Sequence, residues 1–274
     1  MDILSGKWWD ASWNPLQDTR KGSTGIGYHC TKVSPGCDHC WAEAMNNRFG
    51  NREPFDGTPA KYELLPKAID KVYTKKPTVF SVQDMGDIFH CDVSTSQRID
   101  IYRAMEKNPQ HVFVTCTKRS LNARRWIEWA SKYSSFQEWP LPNVVSLVSC
   151  CTQKELDVKL EDITRTPAAS HGISIEPMLG PIYIPDDAFG LDWVICGCES
   201  GPGARHMPIE WARQVRDRCH SLGIAFFFQQ WKVGTVPIEK MPDLDGNTHY
   251  EFPKLLTNHI SVIKAVEEMA QSCL

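Results

Sequence analysis

The sequence predicts an α/β protein: a partial or complete parallel (β/α) barrel of six to seven strands, TIM-barrel-like. Three observations lead there. Short β-rich apolar runs recur along the 274 residues. Segments with helical apolar spacing alternate with those runs, and no internal repeat or low-complexity tract interrupts the alternation. With 42% hydrophobic residues the chain can bury a full core, and residues 1–274 read as one barrel domain with N-terminal and C-terminal extensions.

The expected strands lie at 25–30, 78–83, 111–116, 143–150, 172–176, 191–198 and 224–229. Near-continuous apolar runs of this length suit strands buried on both faces. Crossover helices are expected at 41–49, 96–107, 121–132, 154–164 and 208–222. The last is the clearest. Pro208 suits a first turn, Ile209, Ala212, Val215, Cys219 and Leu222 share one face, and Gly223 ends it. The intervals 51–76 and 183–190 exceed a minimal crossover and read as decorations.

Net charge is −3 with nine histidines, so bulk electrostatics give no general drive toward a polyanion. Local cations at Lys118 and Arg119, Arg124 and Arg125, and Lys75 and Lys76 could bind phosphate, although solvated charge is the commoner role of such pairs. The N-terminus has neither a basic region nor an apolar stretch of secretory type, and no apolar run reaches the ~18 residues that span a bilayer. A cytoplasmic protein without a membrane partner is expected. Eleven cysteines in a reducing compartment read as thiolate ligands, redox residues or buried apolar side chains.

In a parallel barrel, side chains converge where strands end and loops begin. Cys30, Cys116, Cys150, Cys151, Glu176, Cys196 and Cys198 fall at expected strand ends, and Cys91 in a following loop. The loop from Cys30 to Glu43 carries the strongest signal. Cys37 and Cys40 share the two-residue spacing of a metal site, and the turn at Ser34, Pro35 and Gly36 brings back Cys30 as a third thiolate. A structural zinc would take a fourth protein ligand, for which His29 or His39 is available; a three-thiolate cubane leaves one iron open to a small molecule. The iron–sulfur reading is favoured over zinc, and both over chance.

These residues resemble a known family. Trp13-Asn14-Pro15, the Cys30 to Glu43 loop, Asp87 to His90, Thr117-Lys118-Arg119, Glu176-Pro177 with Leu179-Gly180-Pro181, Glu199 to Arg205, and Phe227-Phe228 with Gln230-Trp231 recur in order in a phage-associated three-cysteine family of unknown function. That family resembles divergent radical S-adenosylmethionine enzymes of the spore photoproduct lyase-like group. The resemblance implies a partial barrel with a [4Fe–4S] cluster on Cys30, Cys37 and Cys40, S-adenosylmethionine on the fourth iron, and a 5′-deoxyadenosyl radical on reduction. It further implies a reductant such as flavodoxin or ferredoxin, and a nucleic acid or nucleotide as substrate. Trp41, Glu176, Glu199, Ser200 and Gly201 become candidates for holding the cofactor, and Lys118, Arg119 and Arg205 for holding substrate. The cysteine spacing departs from the group's usual pattern: six residues then two here, three then two there.

Cys91, Cys116, Cys150, Cys151, Cys196 and Cys198 are usually not cysteine in that family. A second iron–sulfur cluster in the barrel mouth is one reading, buried apolar packing another, and a hydrogen-atom donor, Cys116 or Cys150, a third. Two rivals of other classes stand beside the enzyme: an iron–sulfur electron carrier or scaffold, and a zinc-stapled nucleic-acid-binding module. The tryptophans at 8, 9, 13, 126 and 129 read as packing residues before they read as base-stacking ones, and His90 as a satisfied loop histidine.

Overall fold

Seven short apolar segments can avoid water only by pairing with one another and being covered on the outside. The computed structural model describes residues 6–20, 27–201, 203–232 and 238–260. In chain order the elements are β1 (Ala11–Trp13), β2 (Leu16–Asp18), α1 (Trp41–Phe49), β3 (Tyr62–Leu64), α2 (Pro66–Ile69), β4 (Val79–Val82), α3 (Thr95–Glu106), β5 (Val112–Thr117), α4 (Ser120–Tyr133), β6 (Val144–Ser149), α5 (Gln153–Arg165), β7 (Ser170–Ile175), β8 (Trp193–Gly197), α6 (Ile209–Leu222), β9 (Ala225–Trp231) and β10 (Glu239–Lys240). One sheet runs β1-β4-β5-β6-β7-β8-β9-β10, parallel as far as β9 and antiparallel at β10. It curls into a half barrel. The barrel is partial, since β1 and β10 do not pair.

Strand alternation sends successive side chains to opposite faces. Val79, Val112, Val114, Val145, Leu147, Trp193, Ile195 and Phe227 fill the concave side, with Trp8, Met241 and Leu256 against them. The convex side is covered in two patches. One joins Phe80 and Phe113 to α3 and α4 through Ile101, Met105, Ala123 and Ile127; the other joins Val148, Ile173 and Phe226 to α5 and α6 through Leu156, Ile163, Ala212 and Val215. Toward the strand ends the concave face changes character: Val112 and Val114 give way to Cys116, Leu147 to Ser149, and Gly172 to Ser174, with Ser149 opposite Ser174. The barrel has an apolar floor and a polar mouth.

The helices form where their ends are satisfied. Ser94 and Gln97 make a reciprocal capping box on α3, and Thr152 accepts from Glu155 N on α5. Gly223, at φ 69°, closes α6 in the left-handed region.

The expected first strand at 25–30 is a correction. Residues 25 and 26 lie outside the described residues, Gly27 makes only an isolated bridge to Asp18, and 28–30 run as irregular chain. Gly27 packs against Asn51, whose Nδ2 would lie 1.9 Å from a Cβ there, so this stretch is committed to the side-chain network of Asp18, Asn46 and Asn51. The sheet instead begins at β1. Trp13 anchors it, fully buried against Phe113 with its indole donating to Ala68 O at 2.7 Å. Within the 51–76 interval, β3 pairs antiparallel with β2 and α2 follows.

Candidate metal-cluster site

The cysteine loop lies between β2 and α1, over the polar mouth. Ser34 caps a single 3-10 turn, Pro35–Cys37, by accepting from Gly36 N, and Cys40 is the N-cap of α1. Two arginines fix the loop from below. Arg119, just beyond β5, donates from Nη1 to Asp87 at 2.9 Å and to Cys30 Sγ at 3.5 Å, and from Nη2 to Thr31 O and Oγ1 at 2.9 and 2.6 Å. Asp87 is held in turn by the Thr117 hydroxyl. Arg205 donates to Pro35 O at 2.8 Å and to Asp38 at 3.3 Å, and grips both oxygens of Glu199. His39 Nδ1 meets Glu199 at 2.9 Å. Gly36 sits directly on Cys151: a Cβ at that position would fall 2.2 Å from Cys151 Sγ.

The electrostatics of the mouth are lopsided. Lys118 lies within the field of several thiols and donates to Ser149 Oγ at 3.0 Å. Burial would lower the pKa of its ammonium, yet the sulfurs of Cys151, Cys37, Cys116 and Cys40, taken as thiolates, hold it above its ordinary value. Among the described residues it ion-pairs with no carboxylate. Burial pushes the Cys30 thiol up to about 11, with Asp87 adding to the rise and Arg119 opposing it. Burial likewise lifts Cys40 and Cys151, and raises Cys116 to about 12. Cys40 gains partial relief from the backbone N–H groups of Ala42 and Glu43 in the first turn of α1. Burial raises the Glu176 carboxyl to about 7, with Ser174, Lys240 and Lys118 opposing, so at neutral pH it can donate or accept a proton.

The structure brings some of the expected residues together and parts others. Cys30, Cys37, Cys40, Cys116, Cys151, Lys118, Arg119 and Glu176 share the mouth. The six further cysteines do not converge as a second cluster would require. Cys150, Cys196 and Cys198 are buried in the helix-side core with Cys219, because alternation turns them outward, and Cys91 is exposed beside His90. Cys150 therefore does not face the space where a substrate radical would be met. Glu199 and Arg205 are spent on each other and on the loop. Ser200 and Gly201, the latter at φ 93°, form the turn between them, and Trp41 stands 48% exposed on the outer side of α1. Arg119 is likewise committed, to Asp87 and the loop. Sequence reasoning assigned no role to Asp87, Ser149 or the contact of Gly36 with Cys151. Asp87 carried a signal in its place just beyond a strand; the other two depend on packing.

Three cysteines on one loop, with Arg119 bonded to Cys30 Sγ, are a donor set of the kind that a thiolate-bound metal centre uses. A tetrahedral zinc on thiolates holds its sulfurs about 3.8 Å apart. Among the described residues, the groups with three ligand atoms within 4.8 Å of one another are His90, Cys91, Asp92 and His220, His249, Glu251, not the cysteine loop. Thiolates on separate irons stand farther apart, and the cations of Lys118 and Arg119 match the negative charge they would carry.

The sequence profile of a family described as "Protein of unknown function (DUF5131)" matches residues 5–253, so the chain belongs to that family. No curated protein and no solved structure matches. No helix among the described residues is long and apolar enough to cross a membrane.

Proposed function

We propose that this DUF5131 protein holds a [4Fe–4S] cluster on Cys30, Cys37 and Cys40 and uses it in radical S-adenosylmethionine chemistry. The observation that carries the reading is the setting of the loop: Arg119 is bonded to Cys30 Sγ, and the Lys118 ammonium, held up by four cysteine sulfurs, makes no carboxylate ion pair among the described residues, Glu176 being a carboxyl it acts on. Two buried cations beside the loop favour sulfurs carried as thiolates. Held by Cys30, Cys37 and Cys40, such a cluster would supply one-electron reductive cleavage of S-adenosylmethionine, with a flavodoxin- or ferredoxin-type protein as the electron donor.

The protein's own groups do the rest. Arg119 and Arg205 hold the loop so that the sulfurs keep their places, and Cys40 sits at the positive end of α1. Glu176, at the end of β7, offers a carboxyl able to hold a proton or an amino group within the mouth. Cys116 is the thiol placed to give a hydrogen atom there, since it lies on the concave face next to Lys118. The resemblance to lesion-cleaving enzymes favours a nucleotide or nucleic-acid substrate. A shallow concavity of about 370 Å³ lined by Cys91, Asn122, Arg125 and Trp129 supplies a cation and an aromatic edge for one.

The test is anaerobic. Purified protein is expected to hold about four irons and four sulfides per chain, falling away in Cys30→Ala, Cys37→Ala and Cys40→Ala. With dithionite and S-adenosylmethionine it should release 5′-deoxyadenosine. An intact, reduced cluster that yields none would leave an electron carrier and refute the enzyme reading.

A further inference from the structure

At the other end of the sheet, where β8 and β9 begin, three ligand-bearing side chains meet outside the cysteine site. Glu251 is rigidly placed. Its N–H donates to Phe226 O at 3.0 Å, its carbonyl accepts from the Trp193 indole at 2.9 Å, and its Oε2 accepts from Phe226 N at 3.0 Å. The other oxygen, Oε1, faces two imidazoles: His220 Nε2 at 2.8 Å and His249 Nδ1 at 4.0 Å. His220 lies in the last turn of α6, and His249 belongs to the chain that crosses β9, its carbonyl accepting from Phe228 N at 2.9 Å. One ligand atom from each of the three lies within 4.8 Å of the others.

We infer that His220, His249 and Glu251 form a second, independent site for a divalent cation of the zinc class. Two imidazoles and a carboxylate are the ligand chemistry that zinc accepts, and bonds near 2.0 Å in a tetrahedron set ligand atoms about 3.3 Å apart. The 2.8 and 4.0 Å separations from Glu251 Oε1 bracket that value, and the three ligand atoms all lie within 4.8 Å of one another. His249 is suited to the task. Its side chain is only 11% exposed, its Nδ1 is the ring nitrogen turned toward Glu251, and its buried Nε2 finds no hydrogen-bond partner among the described residues. The oxygen Oε2 on Phe226 N is the outer support that a metal-bound carboxylate needs.

The neighbouring guanidiniums are paired with carboxylates. Arg216, one turn before His220, is bonded to Asp217 and Asp245, and Arg213 shares Asp245, so two guanidiniums face two carboxylates. A fourth coordination position points outward, His220 being 44% exposed, and would be completed by water. The consequence is mechanical. Residues 249–251 pair antiparallel to β9 across the Phe227–Tyr250 bridge, and the ion would tie this covering segment to the end of α6.

Cobalt(II) is the probe, because thiolate and imidazole–carboxylate sites differ in its absorption. The full-length protein is titrated alongside a Cys30→Ser/Cys37→Ser/Cys40→Ser variant, with and without His220→Gln or His249→Gln. The cysteine-free-loop variant is expected to bind one equivalent with visible d–d bands and no thiolate charge-transfer band, and zinc is expected to raise its unfolding temperature. His220→Gln, at an exposed position that leaves folding intact by circular dichroism, should weaken binding about tenfold or more and abolish the thermal shift. Equal binding in His220→Gln, or no nitrogen–oxygen-bound equivalent in its parent, overturns the site and leaves the cysteine-loop reading untouched.

Discussion

Gly36→Ala tests whether the cysteine loop is seated as described. The new methyl carbon would fall 2.2 Å from Cys151 Sγ, more than an ångström inside the 3.4 Å at which ordinary contact begins. The loop cannot yield easily, because Ser34 caps its turn and Arg205 holds Pro35 O. Overpacking of this kind costs about 1–3 kcal/mol, and each kcal/mol lowers Tm by about 2–4 °C in a chain of this size. The decisive measurement is a double-mutant cycle with Cys151→Ala, by thermal and urea unfolding of metal-free, reduced protein. Removing Sγ leaves the added methyl at 3.3 Å from both the residue-151 Cβ and Pro177 Cδ, tight but tolerable. Gly36→Ala alone should lose about 5 °C or more, and Gly36→Ala/Cys151→Ala should recover most of it. Additivity within about 0.5 kcal/mol would mean that the two residues do not touch and would refute the seating of the loop.

Further outcomes follow from the charges. Lys118→Met removes a unit charge that, at about 6 Å and an effective dielectric near 20, contributes about 3 kcal/mol. The midpoint of the proposed cluster should therefore fall by on the order of 100 mV in a one-electron titration, and an unchanged potential in fully loaded protein would strip Lys118 of its proposed role. Glu199 gives a pH signature. Burial raises its pKa, but the Arg205 side chain and N–H and the His39 ring outweigh burial and bring the carboxyl from an ordinary 4.5 down to about 2. A carboxyl depressed in the folded state stabilises above its unfolded value, and the stabilisation is lost as pH falls toward the folded value. Wild type should thus lose stability between about pH 4.5 and 2 more steeply than Glu199→Gln; parallel acid-unfolding curves would contradict the Glu199–Arg205 lock.

Much of the fold was legible because apolar runs such as Val144–Ser149 and the spaced face of Ile209–Leu222 are local signals. β1 was not. Its three residues are too few to show alternation, and its place depends on the pocket that Phe113 and Ala68 provide for Trp13. The cysteine loop declared itself by spacing. The fate of the charged candidates was hidden, because Arg119 finds Asp87 and Arg205 finds Asp38 only after the loops between them have folded back. Likewise, nothing local announces that Lys118 ion-pairs with no carboxylate among the described residues.

The open seam of the half barrel bears on how molecules of this protein behave toward one another. A sheet that does not close presents two raw margins, and unpaired backbone at a margin recruits strands from other chains. Here the margins are β1 and β10, of three and two residues. On β1 the Lys71 ammonium already occupies the carbonyl of Ser12, and β10 ends in Lys240. Among the described residues these margins offer little backbone on which a foreign strand could template, and each carries a positive charge that repels its like. The half barrel can keep its mouth wide without turning its edges into seeds for sheet-to-sheet aggregation.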